Sequence, residues 1–208
     1  MIAAMPRWDP RAEDRLREAA LDLYLEHGYE NVTVAQITAR AGLTRRTFSS
    51  YFTDKRDVLF AGSEQLPGAL ADAVLHADDA LPPSGALLAA LVDVSELLAG
   101  RVSHAAQRRA IIKASPELQE RERTKFAAVT GALAGALQQR GAAGSTAQLL
   151  ARVGVAIFQT AFERWTDRPE HAGFPACVRQ AAAELASSLG AADTRVVRPG
   201  PIVTDAAP

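Results

Sequence analysis

The sequence predicts an all-α fold: an N-terminal three-helix unit ending in a helix-turn-helix, followed by a larger helical domain, about nine helices in all. Three observations lead to this. The chain is rich in Ala and Leu and poor in β-branched runs, a composition that favours helices. Its apolar residues recur at i, i+3 and i+4. Caps and glycines divide the stretch RLREAALDLYLEHGYENVTVAQITARAGLTRRTFSSYFTDKRDVL, from Arg15 to Leu59, into short amphipathic segments. At 208 residues the chain has room for one domain or two small ones and for a substantial core.

Pro10 suits a first helical turn, where its missing N–H costs nothing, and Asp9 stands ready as a cap,. Leu16, Ala19, Ala20, Leu23 and Tyr24 then form one apolar stripe, closed at His27-Gly28,. Thr33 caps a second helix with Val34, Ile37 and Ala41 inward, and Gly42 permits a sharp turn,. Thr44 caps the third, with Leu43, Phe48 and Phe52 inward and Arg45, Arg46, Thr47, Ser49 and Ser50 outward.

That outward face is short, polar and cationic. Arg pairs bidentately with guanine in the major groove, and Thr or Ser reaches bases or phosphates. Thr53-Asp54-Lys55-Arg56 reads as the start of a fourth helix, whose open N–H groups and Lys favour a phosphate,. By charge alone, a solvated face on an ordinary bundle explains these residues as well. The order of caps, turn and basic face tips the reading toward DNA. Residues 1–60 hold nine Lys or Arg and nine Asp or Glu, so binding must come from a local patch, here Arg40, Arg45, Arg46, Lys55 and Arg56.

Ala19-Ala20, Gly28-Tyr29, Val32-Thr33-Val34, Ile37, Ala41-Gly42-Leu43, Thr47-Phe48, Tyr51-Phe52 and Lys55 together strongly resemble the N-terminal domain of TetR-type transcriptional repressors. The resemblance implies a homodimer whose two recognition helices enter successive major grooves of a palindromic operator. It also implies a C-terminal domain that binds a small molecule and releases the DNA. Carried over by position, Thr33 and Tyr51 are phosphate contacts, Lys55 a phosphate anchor, and Thr44, Arg45, Arg46 and Thr47 the base-reading end. The family usually places an aromatic residue, often Tyr, where this chain has Ser49, whose hydroxyl reaches phosphate over a shorter distance.

The fourth helix is expected to run from Asp54 into the seventies, kinked at Pro67-Gly68, and to carry the ligand signal between domains. HADDALPPSG, His76 to Gly85, reads as a loop,. Helices follow at about 86–98, 103–114 and 115–139. Another is capped by Ser145 and lasts to about Trp165, and a last covers 174–189. The expected organisation is a flexible arm over 1–10, a DNA-binding domain over 11–57, a ligand-binding and dimerisation domain over 58–190, and a disordered tail over 191–208.

The helix after Ser145 is apolar or small around most of its girth, so it must be covered on more than one side. With the last helix it offers a dimer face of Leu150, Val153, Gly154, Ile157, Ala161, Val178, Ala182 and Leu185,. Membership of the monomer core is the competing reading for both helices. Polar residues within apolar helices mark a candidate pocket for a largely apolar effector: His104, Gln107, Gln159, Thr160 and Trp165, walled by Phe126, Phe158 and Phe162,. Each also has a plain reading, as a capping, surface or core residue.

No glycine-rich phosphate loop, metal-spaced His/Cys/carboxylate cluster or nucleophile elbow appears, so no enzyme, metal or cofactor is expected,. A ligand-independent DNA-binding or scaffold protein with a tight core is the first alternative, and an enzyme built on helices, with titratable residues converging in a cleft, is the second. No apolar run has the roughly 20 residues of a membrane span. The single cysteine, Cys177, excludes an intramolecular disulfide, which suits the cytoplasm, and reads as buried packing,.

Overall fold

A computed structural model describes residues 10–100 and 104–196. Among them the chain is helical throughout, with α1 Pro10–His27, α2 Val34–Ala41, α3 Arg45–Tyr51, α4 Asp57–Phe60, α5 Leu66–His76, α6 Pro83–Ala99, α7 Ala105–Ala114, α8 Pro116–Gln139, α9 Gly144–Asp167 and α10 Phe174–Val196. The expected arm over 1–10 falls, but for Pro10, outside the described residues. The expected disordered tail is corrected in part, since α10 continues to Val196; residues 197–208 lie outside the description.

The first three helices follow their local chemistry. Thr33 makes a reciprocal capping box with Gln36: Gln36 N–H donates to Thr33 Oγ1 at 3.3 Å, and Thr33 N–H donates to Gln36 Oε1 at 2.8 Å,. Gly42 stops α2 in the left-handed region at φ +63°, where a side chain would also press on the Arg15 guanidinium,. Thr44 Oγ1 accepts from Thr47 N–H at 3.1 Å and starts α3,. Ser145, expected as a cap, sits inside the first turn of α9 instead.

The fourth helix differs from expectation. It stops after one turn at Phe60, Gly62 adopts φ +79°, a 3₁₀ turn spans Ser63–Gln65, and α5 then begins with Pro67 in its first turn. Pro67 is therefore a start signal and not a mid-helix kink. The left-handed glycine five residues earlier is the true break.

Two cores result. In the C-terminal domain α5, α8, α9, α10 and α6 close a ring, each packed on the next, around Leu70, Leu91, Leu133, Leu137, Phe158 and Phe174. Cys177 is buried there. The N-terminal core holds Leu16, Ala20, Ile37, Phe48 and Leu59, and also Ile111, Ile112 and Leu118 from α7 and α8. Two later helices thus complete the first domain's core, well past the expected boundary at residue 57.

Candidate nucleic-acid interface

The reading helix α3 is anchored by one side and presents the other. Phe48 is 1% exposed and Phe52, just beyond, is 3% exposed, with ring centroids 5.4 Å apart. Burying two aromatic rings fixes the helix to its scaffold. Thr44, Arg45, Arg46, Ser49 and Ser50 face outward, and Thr47 and Tyr51 are half-buried. Thr44 and Thr47 share a hydroxyl hydrogen bond of 2.9 Å, and Ser50 Oγ donates to Arg46 O at 3.0 Å.

Charge bookkeeping separates the cations of this domain. Arg15 donates to Ala41 O. Arg17 pairs with Glu13 at 2.6 Å, and Arg40 with Glu26 at 2.7 Å. Arg56 binds Asp54 and reaches Glu117 at 3.0 Å. Burial would raise the Asp54 carboxyl, but the Arg56 guanidinium and backbone N–H groups outweigh it and hold the carboxyl low,. Among the described residues Arg45 and Arg46 make no ion pair, and both point to solvent. Of the five-residue basic patch expected from sequence, Arg40 and Arg56 are neutralised within the chain. Within that patch, among the described residues, Arg45 and Arg46 are left with unpaired guanidinium groups.

Lys55 is placed differently from the phosphate anchor expected of it. Its ammonium donates to Tyr29 O at 2.8 Å, Val32 O at 2.9 Å and Glu30 O at 3.4 Å. It also sits 4.2 Å from the Tyr29 ring centroid,. Its own carbonyl accepts from Tyr24 Oη at 2.6 Å. Burial raises the Tyr24 and Tyr29 phenols, and Tyr24 stays protonated as the donor to Lys55 O. The N–H groups expected to receive phosphate are also filled. Asp57 accepts from Thr53 N–H at 3.0 Å and Asp54 N–H at 3.2 Å, and Asp54 accepts from Arg56 N–H at 2.7 Å. No periodicity announces these acid caps, although an Asp three or four residues after a candidate start is a recognisable signal. Of the two other expected phosphate contacts, Thr33 is exposed on the capping box and Tyr51 is half-buried.

The expected effector pocket is corrected at several positions. Phe158, Phe162, Trp165 and Phe174 pack on one another, with Phe174 lying 5.1 Å from Phe158, 5.6 Å from Phe162 and 5.2 Å from Trp165 between centroids. These rings fill the space they were expected to wall. Gln159 is exposed, because Ala147, Ala151, Val155 and Phe158 take the inner face of α9. His104 and Gln107 pair on the surface at 2.6 Å. Phe126 is half-buried beneath Lys125, whose Nζ lies 4.4 Å from the ring centroid.

The expected dimer face is corrected too. Gly154, Ala161 and Val178 belong to the monomer's interior. A Cβ on Gly154 would meet Leu87 Cδ1 at 2.9 Å, so this glycine admits α6 and not a second subunit. Leu150, Val153, Ile157 and Ala182 are half-buried, and Leu185 is exposed, as are Leu149 and Leu189.

A short helix held by aromatic anchors, with paired acids and cations around it and two unpaired guanidinium groups at its outer end, defines a helix-turn-helix DNA-binding protein. The model of bacterial regulatory proteins of the tetR family matches residues 16–61, and that of the MftR C-terminal domain matches residues 81–190. The chain belongs to the TetR family of transcriptional regulators, a family of DNA-binding proteins and not of enzymes. It is 39% identical over 77 residues to the HTH-type transcriptional regulator BetI of Klebsiella pneumoniae (strain 342), which is 37% of this chain and 40% of that protein. With BetI of Escherichia coli O17:K52:H18 it shares 40% over 81 residues, 38% of this chain and 42% of that protein. The match thus spans about two fifths of these relatives' length. A SmeT–triclosan complex superimposes with a TM-score of 0.60 at 20% identity, covering 92% of this chain and 99% of that one. A transcriptional regulator from Pseudomonas aeruginosa PAO1 gives 0.61 at 19%, covering 91% and 96%. FadR from Bacillus subtilis in complex with stearoyl-CoA gives 0.54 at 18%, covering 84% and 97%. These likenesses establish the fold. No helix among the described residues is long and apolar enough to cross a membrane.

Proposed function

We propose that this protein is a ligand-responsive repressor that acts in the cytoplasm and binds a palindromic operator as a homodimer. The observation that carries the reading is the pair Arg45 and Arg46, left without ion-pair partners at the outer end of α3 while neighbouring cations are neutralised. Thr44, Thr47 and Ser49 are their neighbours on and beside α3, and the reading adds Thr33 and Tyr51 as phosphate contacts. Half-sites one helical turn of DNA apart, or a small multiple, would suit two such readers. The exposed Leu149, Leu185 and Leu189 on α9 and α10, with half-buried Leu150, Val153, Ile157 and Ala182, are the candidate contact with the second subunit. Structurally similar regulators carry triclosan and stearoyl-CoA, both with large apolar parts, which supports an effector of that character here.

A second reading is favoured by the closed aromatic cluster of the C-terminal domain: a regulator that holds DNA without an effector. Two clefts among the described residues, about 150 Å³ beside Tyr24 and Tyr29 and about 290 Å³ beside Arg17 and His104, fall short of a typical drug-sized site of roughly 300–1,000 Å³. A footprint on the DNA flanking the gene, at stated salt, tests the reader. Protection of a palindrome by the wild type, lost in Arg45→Ala/Arg46→Ala with folding and dimerisation intact, is the expected outcome. Unchanged affinity in that variant refutes the assignment.

A further inference from the structure

At the junction of the two domains a group of cations surrounds one aromatic ring. Arg108 from α7 and Arg121 from α8 place their Cζ atoms 5.6 and 5.3 Å from the Phe60 centroid, and Lys125 Nζ lies 5.9 Å from it. Arg17 of α1 stands close enough to Arg108 for mutual repulsion. Acids answer these charges incompletely. Arg17 has Glu13 and Arg121 has Asp57, each at 2.6 Å, but Lys125 reaches Glu122 only at 3.9 Å. Arg108 has no carboxylate within ion-pair distance among the described residues. Its Nε and that of Arg17 are sealed from solvent without a hydrogen-bond partner.

Such an arrangement is costly without a ligand. A sealed guanidinium N–H with no acceptor forfeits a charge-assisted hydrogen bond, and neighbouring cations raise the cost. Burial pushes both Arg108 and Lys125 down; Glu122 opposes this at both without cancelling it, while Arg17 adds to it at Arg108 and Arg108 adds to it at Lys125. The cation–π contacts to Phe60 offset only part of that cost,. An anion among these side chains supplies the missing acceptor. On one side of the group lies Phe60, in the reader's core. On the other lies Phe126, against the C-terminal core and under Lys125 at 4.4 Å. Arg17 also lines the cleft of about 290 Å³ with Asp14, Glu18 and His104.

We propose that Arg17, Arg108, Arg121 and Lys125 form a binding site for the carboxylate or phosphate head of an amphipathic small molecule whose apolar part rests toward Phe126. As regulation, this rests on the reading of the protein as ligand-responsive; as binding, it stands alone. The site joins α1 of the reader to α7 and α8, so an anion held there favours whichever domain arrangement best encloses it.

The test uses the full chain with three probes: inorganic phosphate, decanoate and, at matched ionic strength, potassium chloride. Thermal unfolding and calorimetry read binding, and operator binding is measured separately. A saturable rise in Tm with decanoate or phosphate beyond that with chloride is expected, together with affinity at least about tenfold weaker in both Arg108→Met and Lys125→Met. A response to phosphate alone names a phosphate head, and one to decanoate alone a carboxylate head. Without a probe, Arg108→Met should be as stable as the wild type or more so, because it removes an unpaired charge. If Arg108→Met fails to fold, Lys125→Met carries the comparison. Equal responses to all three salts, or undiminished binding in the variants, overturns the site. Binding that leaves operator affinity unchanged upholds the site and counts against ligand-responsiveness instead.

Discussion

Lys55 is where the structure and the family resemblance make opposite demands, and Lys55→Met separates them. In the structure the ammonium makes two short hydrogen bonds, to Tyr29 O at 2.8 Å and Val32 O at 2.9 Å, with a third at 3.4 Å to Glu30 O. It also lies 4.2 Å over the Tyr29 ring. Charge-assisted hydrogen bonds contribute about 1.5–3 kcal/mol each, and a partly exposed cation–π contact about 0.5–1 kcal/mol. Lys55 is only half-buried, so water recovers part of this on removal, and the loss should be about 2–3 kcal/mol. For a chain of this size that lowers Tm by roughly 4–10 °C. Scanning calorimetry and urea unfolding measure it, and the salt dependence of operator binding is recorded alongside. A phosphate anchor predicts the reverse: stability unchanged, and a slope of log K against log salt smaller by about 0.9 for each lost contact. A stability change below about 0.5 kcal/mol refutes the argument that Lys55 staples the α1–α2 turn.

Other consequences follow from burial and charge. Lys125, its side chain 13% exposed, is pushed down to about 8 by burial and by Arg108, whereas an unfolded lysine titrates near 10.4. Between those values the unfolded chain keeps a proton the folded chain has lost, so stability rises with pH across that window and the penalty is complete below it. From pH 8 to 9.5 the wild type should gain about 1–2 kcal/mol relative to Lys125→Met in urea unfolding, and parallel curves would show that the lysine is solvated. Gly154→Val should lower Tm by several degrees through the clash with Leu87,; a stable but monomeric variant would return Gly154 to the dimer face. Ile111→Ala, at 4% exposure, should cost about 2–4 kcal/mol in unfolding experiments, and a cost below about 1 kcal/mol would deny α7 a place in the reader's core.

What could be read from sequence was local. Thr33 with Gln36, Gly42, Thr44 and Phe48 each act within a few residues, so their roles show in the chain itself. The paths of Lys55 and Arg15 to carbonyls 23 to 26 residues away leave no periodic trace, because a long flexible side chain has no preferred partner in sequence. The pocket residues misled for a related reason. A Phe or Trp at helical spacing looks the same whether it walls a cavity or fills it, and only Phe174, arriving from α10, decides that it fills it. Gly154 looked like a dimer contact because small residues admit a neighbouring helix, and sequence does not say from which chain.

The composition of the two cores bears on how a signal crosses the molecule. The expected route was one continuous fourth helix, but Gly62 and the 3₁₀ turn break it between Phe60 and Leu66. A broken helix transmits a push poorly. α7 is better placed. Its Ile111 and Ile112 lie within the reader's core, and its Arg109 binds Glu163 at 3.2 Å and also Asp167 on α9. Ser115, at the end of α7, donates to Glu30 at 2.9 Å, and Arg121 and Glu117 of α8 hold Asp57 and Arg56 at 2.6 and 3.0 Å. A shift of α7 against α9 would therefore drag buried side chains of the reader with it, because a close-packed core moves as a unit. Under the proposed ligand-responsive reading the linkage would work in both directions: an effector that fixed α7 and α8 would restrain the core that carries α3, and DNA holding α3 would bias the junction in turn.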